Sequence, residues 1–149
     1  MFTNKSIFRI FPFLFNVVIM LALLVCIAAF PTPAYAATYT VTKTADTNDG
    51  TCNSDCSLRE AITAANAAAG TDTISLPAGT YTLTLGSQLP AVTSAIIVNG
   101  SGAANTFIQA NANPNTATYR VFAVTSTGNL TLNSLTVRNG RCNGSCANV

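Results

Sequence analysis

The chain has 149 residues, of which 49% are hydrophobic and only 8% are charged. It contains no histidine, which excludes the Ser-His and Cys-His dyads of nucleophilic enzymes. Two of the seven basic residues lie at the extreme N-terminus, and the other five balance the five acidic residues. Phosphate binding requires clustered lysine and arginine, so we do not expect nucleic acid as a partner.

Residues 1–36 have the three parts of a secretory signal peptide. A polar start with Lys5 and Arg9 precedes the apolar run 10–30, and Ala34-Tyr35-Ala36 supplies a small-x-small cleavage pattern. An uncleaved membrane anchor is the alternative, because about 20 apolar residues are enough to span a bilayer. The small residues favour cleavage, which we place after Ala36. We therefore expect an exported protein, extracellular or at the cell surface, whose only membrane contact is through the signal segment.

Four cysteines follow the predicted cleavage site, as two C-x-x-x-C pairs formed by Cys52 with Cys56 and Cys142 with Cys146. An even number of cysteines in an oxidising compartment indicates disulfides. Three pairings are possible, and the local pairing closes the shortest loops. Zinc is the alternative, but the spacing within each pair is not the usual two residues, so we favour disulfides.

The segment 37–72 predicts one strand, one turn and one helix. Threonine alternates with tyrosine and valine over Thr38–Thr44, which is typical of a strand, and the Asx- and Gly-rich residues 46–50 predict a turn. Ser57 and Glu60 then fit the S-x-x-E capping box of a helix start. The helix is predicted to continue to Ala69 and to end at Gly70.

Two predictions concern the side chains of this helix. Leu58 and Ile62 begin an apolar stripe at helical spacing, and we expect the stripe to pack on the first layer of strands. Arg59 and Asp55 are placed for an i, i+4 ion pair across the helix start.

Short alternating runs separated by Gly, Asn, Pro and Ser occupy 73–149. These predict strands at 73–76, 80–85, 95–98, 106–108, 121–125, 130–132 and 135–137. A single helix placed before a series of short strands favours an all-β fold, a short right-handed parallel β-helix with one N-terminal capping helix. In that interpretation 37–72 is the cap and 73–149 holds the first, incomplete rungs. A β-sandwich is the alternative, because Asn99-Gly100 and Asn139-Gly140 are also hairpin signals.

The segment 49–62 reads DGTCNSDCSLREAI, and its residues 56–61 spell the motif of the CSLREA-domain proteins of bacteria. The flanking segments 40–46 and 72–81 also resemble that family, as do 99–103 and 130–140. The resemblance covers nearly all of 37–149, although the second cysteine pair is not part of the motif. It implies a cap followed by a β-helix in a secreted or surface-attached protein. Such proteins are usually much longer, so we expect this chain to be a fragment.

No set of catalytic side chains emerges from the sequence. A polysaccharide lyase needs a basic residue and commonly a calcium ion held by carboxylates, but no acidic residue follows Asp72. Calcium is the candidate cofactor for the turn, because oxygen ligands crowd the loop that holds Asp46, Asn48, Asp49 and Asp55. The EF-hand spacing fails there, since glycine is fifth instead of sixth, so a hydrogen-bonded turn is preferred.

These observations favour an exported, non-enzymatic module of a bacterial cell-surface or secreted protein. Its expected role is structural, adhesive or carbohydrate-contacting, with extracellular polysaccharide or a host surface as partner. The alternative is the N-terminal fragment of a β-helix polysaccharide lyase or hydrolase whose catalytic part lies elsewhere.

Overall fold

The computed structural model describes Met20 and residues 35–142. The chain divides into two units, Met1–Pro33 and Ala34–Val149, and the strands and helix described below belong to the second unit. Nearly all of the predicted signal segment 1–36 lies outside the described residues, as does Cys146. Within the described ranges, no helix has both the length and the apolar character needed to cross a membrane.

The described part of the second unit contains short strands and one helix. In chain order they are β1 Thr38–Thr40, α1 Leu58–Ala67, β2 Thr71–Leu76, β3 Gly79–Thr82, β4 Ala95–Gly100, β5 Thr106–Gln109, β6 Asn129–Asn133 and β7 Thr136–Arg138.

The strands form two sheets in which every pairing is parallel. One sheet has four strands in the order β1-β2-β4-β6, and the other has three in the order β3-β5-β7. Strands that follow each other closely, such as β2 and β3, belong to different sheets. After β1, each passage of the chain contributes one strand to each sheet, which gives parallel neighbours without hairpins.

Apolar residues stack in columns because the parallel strands are in register. Ile74 of β2 is paired with Val98 of β4, and Val98 is paired with Leu132 of β6. Ile74 and Val98 are fully buried, whereas Leu132 is 39% exposed. The buried core therefore lies among the earlier strands, and β6 presents a partly uncovered apolar side chain at the edge of its sheet.

Helix α1 covers one side of this core. Leu58, Ala61, Ile62 and Ala65 are buried, as the apolar stripe predicts, and the helix contacts β1, β2 and β4. Burying a leucine or isoleucine side chain stabilises a fold by about 1.5–3 kcal/mol. The stripe therefore makes a large contribution to holding the helix on the sheet.

The predicted all-β, right-handed parallel β-helix is wrong. Residues 35–142 have mixed α/β character, with one helix and two small parallel sheets, and they form no closed solenoid. The connections between β3 and β4 and between β5 and β6 contribute only an isolated bridge, Val92 with Val124. Pro90 and Pro114 lie in these connections and lack the N–H that a continuous ladder needs. The β-sandwich alternative also fails, because its sheets are antiparallel.

Several predicted boundaries also differ from the structure. The predicted strand 121–125 is not a strand, and β2 begins at Thr71, so the boundary placed between residues 72 and 73 falls inside it. Asn99-Gly100 forms no hairpin. A Cβ atom at Gly100 would collide with the carbonyl oxygen of Ser134, so this glycine permits close approach of two passages of the chain.

Candidate functional sites

A disulfide joins the turn before α1 to the start of the helix. Cys52 and Cys56 are bonded, with their Cα atoms 4.5 Å apart, which confirms the local pairing for this pair. Cys56 is fully buried, and its backbone N–H donates to the Thr42 hydroxyl at 2.8 Å. The bond therefore attaches an exposed loop to a residue that belongs to the core.

Ser57 and Glu60 form the capping box that the sequence predicts. The Glu60 N–H donates to the Ser57 hydroxyl at 3.2 Å, and the Ser57 N–H donates to Glu60 Oε2 at 2.7 Å. Glu60 Oε1 also accepts hydrogen bonds from the Asp49 N–H at 3.0 Å and the Thr47 hydroxyl at 3.1 Å. The buried Glu60 carboxylate thus caps the start of the helix and also holds the loop 47–49 against it.

These contacts determine the titration of Glu60. Burial alone would raise the pKa of its carboxyl group, because it disfavours the charged form. The hydrogen bonds from Ser57, Asp49 and Thr47 outweigh burial, and the pKa of Glu60 lies below its usual value. The carboxylate is therefore ionised in the folded protein at neutral pH.

Arg59 makes a buried ion pair with Asp46, and not the predicted pair with Asp55. Its Nε lies 2.8 Å from Asp46 Oδ1, and its Nη2 lies 3.0 Å from Asp46 Oδ2. The side chains of Arg59 and Asp46 are 7% and 3% exposed. Asp55 instead pairs with Lys43 at 2.8 Å, with its own side chain 70% exposed. The i, i+4 rule selected the wrong acid because the turn folds back over the helix.

The ion pair also connects α1 to the loop that follows β3. Arg59 donates to the carbonyl oxygens of Gln88 at 2.8 Å and Ser87 at 3.2 Å. Asp46 Oδ2 accepts the backbone N–H groups of Thr84 at 2.9 Å and Leu85 at 3.0 Å. Both charges are therefore compensated by several partners, as a buried pair requires.

The calcium candidates face different partners. Asp46 is occupied by Arg59 and two backbone amides, Asp49 Oδ1 accepts the Thr51 N–H at 2.9 Å, and Asp55 binds Lys43. Asn48 makes no side-chain hydrogen bond to the rest of the described chain. No group of three or more His, Cys, Asp or Glu side chains in residues 35–142 is placed to hold a metal ion. The donor set therefore fits a hydrogen-bonded turn better than a calcium site.

A cleft lined by arginines lies at the other end of the described chain. It has a volume of about 540 Å³ and is lined by Arg120, Val121, Phe122 and residues 137–142. Arg138 is among the lining residues, and two residues outside the lining hold its side chain: its Nε donates to Gln109 Oε1 at 2.8 Å and its guanidinium lies 4.5 Å from the centre of the Phe107 ring. The guanidinium groups of Arg120 and Arg141 have no hydrogen bond or ion pair with the described residues. The fold brings all three arginines to the lining of one cleft, a proximity that their positions in the sequence do not indicate.

A second cleft is uncharged and rich in hydroxyl groups. It has a volume of about 550 Å³, and its lining includes Thr82, Thr84, Thr116, Thr118 and Tyr119. The Tyr119 hydroxyl lies 3.1 Å from the carbonyl oxygens of both Leu83 and Ala110, which fixes the ring at the wall of this cleft.

The second cysteine pair is only partly described. Cys142 is disulfide-bonded and lines the arginine cleft, and Cys146 lies outside the described residues. The predicted pairing of these two cysteines stays a prediction.

Comparisons with protein-family models, with curated proteins and with solved structures find no match. The resemblance to CSLREA-domain proteins therefore rests on the motif in residues 56–61 and its flanks.

Proposed function

We propose that the protein is an exported, non-enzymatic module of a bacterial cell-surface or secreted protein, and that its arginine cleft contacts anionic extracellular polysaccharide. The observation that carries the proposal is that Arg120, Arg138 and Arg141 all line one cleft. Planar guanidinium groups bind carboxylate and sulfate in a bidentate manner, which suits the acidic groups of such polymers.

Three features support export. The small-x-small pattern ending at Ala36 follows a long apolar run, and the Cys52–Cys56 disulfide is of a kind that persists in oxidising compartments. The CSLREA resemblance points to the same location.

The distribution of charge supports a binding surface over a catalytic centre. All five acidic residues after the signal segment lie between Asp46 and Asp72, and three of the five basic residues lie at or beyond Arg120. Asp46 and Glu60 are fully engaged by structural partners at the start of α1. The cleft therefore offers positive charge that no carboxylate among its lining residues neutralises.

Binding is tested with the protein collected after export from a bacterial host, with polygalacturonate as the anionic probe and dextran as the neutral one. We expect polygalacturonate to bind with an affinity that falls as salt rises, because exposed charges are screened. Arg120→Gln and Arg141→Gln should each weaken binding by about two- to fivefold, which corresponds to about 0.5–1 kcal/mol for an exposed ion pair. Lys43→Gln, which removes a basic group outside the cleft, is the matched control and should leave affinity unchanged.

Equal binding of dextran and polygalacturonate, or an equal loss in the Lys43 control, would contradict the role of the cleft. Equal affinity for duplex DNA would show a general response to anions and would also count against the proposal. Export is tested separately, by the location and mass of the protein in the host.

A further inference from the structure

Asp72 is a carboxylate at a core-facing position of β2. It is 0% exposed, and the two next residues on the same face of the strand, Ile74 and Leu76, are buried apolar side chains. Its Oδ1 accepts the backbone N–H of Ala37 at 2.7 Å, whereas its Oδ2 is buried and has no hydrogen-bond partner among the described residues.

Asp72 has far fewer partners than the other buried carboxylates. Asp46 accepts four hydrogen bonds, two of them from Arg59, and Glu60 accepts three. The ion pairs among residues 35–142 are Lys43–Asp55 and Arg59–Asp46, so Asp72 has no cationic partner in the described chain. A buried charge with a single neutral donor is costly, and this position lacks the second donor or cation that normally compensates it.

The location of Ala37 in the sequence indicates which group could be the missing partner of Asp72. Ala37 is the first residue after the predicted cleavage site, and its nitrogen is the atom that contacts Asp72. The carbonyl oxygen of Ala37 accepts the Thr73 N–H at 2.8 Å, which holds this residue beside β2. Ala36 on the other side of the bond is exposed.

We infer that Asp72 is the binding site for the α-ammonium group that signal cleavage creates at Ala37. Hydrolysis of the Ala36–Ala37 bond consumes one water, leaves a carboxylate on Ala36 and releases the amine of Ala37, which takes up a proton. That group carries three N–H donors and a positive charge where the precursor has one neutral N–H. It reaches both Asp72 oxygens and converts an under-compensated carboxylate into a charge-assisted ion pair. This inference rests on the export part of the proposed function.

The residues before Ala37 lie close to the same site. A Cβ atom added at Gly70 would be 3.3 Å from the Ala36 nitrogen and 3.3 Å from the Tyr35 carbonyl oxygen. Residues 35–36 therefore lie against Gly70, directly before the start of β2, in the uncleaved chain. Their removal frees the volume that Ala36 occupies beside the nitrogen of Ala37.

The experiment measures the reactivity of the new amine in the exported protein. Lys43 is the only lysine after residue 36, so cleavage at this site leaves two primary amines, one at Ala37 and one at Lys43. The purified protein is treated with an acetylating reagent under native conditions, and labelling of each amine is followed by peptide mass spectrometry. We expect the Ala37 amine to react about tenfold faster in Asp72→Asn than in the unchanged protein, a factor equivalent to one pKa unit. The Lys43 rate should be the same in both.

Asp55→Asn is the matched control, because it removes a carboxylate that pairs with Lys43 and not with Ala37. It should change Lys43 labelling and leave the Ala37 rate unaltered. If Asp72→Asn does not accumulate, the unchanged protein is compared in its native and urea-unfolded states, where the Ala37 amine should be protected about tenfold on the same scale.

Equal Ala37 rates in the unchanged protein and in Asp72→Asn, or no protection in the native state, would overturn the inference and leave export intact. A mature protein that begins at another residue would overturn the inference and correct the cleavage site. A protein retained in the cytoplasm with residues 1–36 attached would overturn both the inference and the proposed export.

Discussion

The buried ion pair between Arg59 and Asp46 should be the most sensitive electrostatic contact in the described fold. Both side chains are less than 8% exposed, and two hydrogen bonds of 2.8 and 3.0 Å join them. Asp46→Ala removes one charge and leaves the guanidinium with only the carbonyl groups of Ser87 and Gln88. Two backbone N–H groups, those of Thr84 and Leu85, also lose their acceptor.

Removing one member of a buried ion pair typically costs about 3–5 kcal/mol, because the other charge stays buried without compensation. We expect a loss in this range for Asp46→Ala, measured by urea denaturation of the exported protein. At an m-value of about 2 kcal/mol per M the midpoint should fall by about 1.5–2.5 M. This is a large fraction of the total stability of a domain, which is about 5–15 kcal/mol.

A double-mutant cycle separates the pair from the general cost of truncation. Arg59→Met should be destabilising by a similar amount, and the double variant should be more stable than the sum of the two losses implies, because neither charge is then left alone. Lys43→Gln with Asp55→Asn is the exposed control and should change stability by no more than about 1 kcal/mol. A loss below about 1 kcal/mol for Asp46→Ala, equal to the control, would refute the assignment of a compensated buried pair.

The remaining predictions concern α1 and its disulfide. Folding lowers the pKa of Glu60, so its carboxylate stabilises the fold above the usual pKa of 4.5, and this stabilisation is lost as pH falls through the folded pKa. Glu60→Gln should therefore be less stable at pH 7, and its stability should fall less steeply than that of the unchanged protein as the solution is acidified. An equally steep fall in the two proteins would contradict this. Leu58→Asp should lower the free energy of unfolding by more than about 3 kcal/mol, because it buries a charge against the sheet. Thr63→Asp, on the exposed side of the helix, is the control and should have little effect. Equal melting temperatures of the two variants would disprove the packing of Leu58 on the sheet. Cys52→Ser should increase proteolysis within residues 46–60 more than in the strands, since a disulfide that closes a short loop acts locally, and an identical cleavage pattern would count against that local role.

Local features of this fold follow from the sequence because they depend on residues close in the chain. The S-x-x-E box predicts the start of α1, and the apolar stripe from Leu58 predicts its buried side. Alternation predicts most strands, since residues two apart share a face. The even number of cysteines predicts disulfides, and the structure selects Cys52 with Cys56 from the pairings that the sequence leaves open.

The remaining features depend on contacts between distant segments, which periodicity does not encode. Alternation does not decide whether two sheets close into a solenoid, and the connections with Pro90 and Pro114 leave this fold open. The partner of Arg59 is 13 residues away in the turn, so helical spacing selected Asp55 incorrectly. The three arginines of the cleft meet only because the passages of the chain that carry Arg120 and Arg138 lie side by side.

Asp72 is a residue whose surroundings depend both on local strand alternation and on a contact with a distant segment. In the sequence it stands directly before the alternating run 73–76, in phase with the apolar residues Ile74 and Leu76. In the structure it occupies the core-facing phase of β2, beside the nitrogen of Ala37. A neutral amide satisfies one of its oxygens and leaves the other buried without a donor. An isolated carboxylate is a poor choice for that position, but it suits a site whose partner is the ammonium group of a processed chain. On our proposal that the chain is exported and cleaved after Ala36, cleavage supplies the positive charge that Asp72 lacks among the described residues. The burial of Asp72 and the small-x-small pattern before Ala37 then have the same physical explanation.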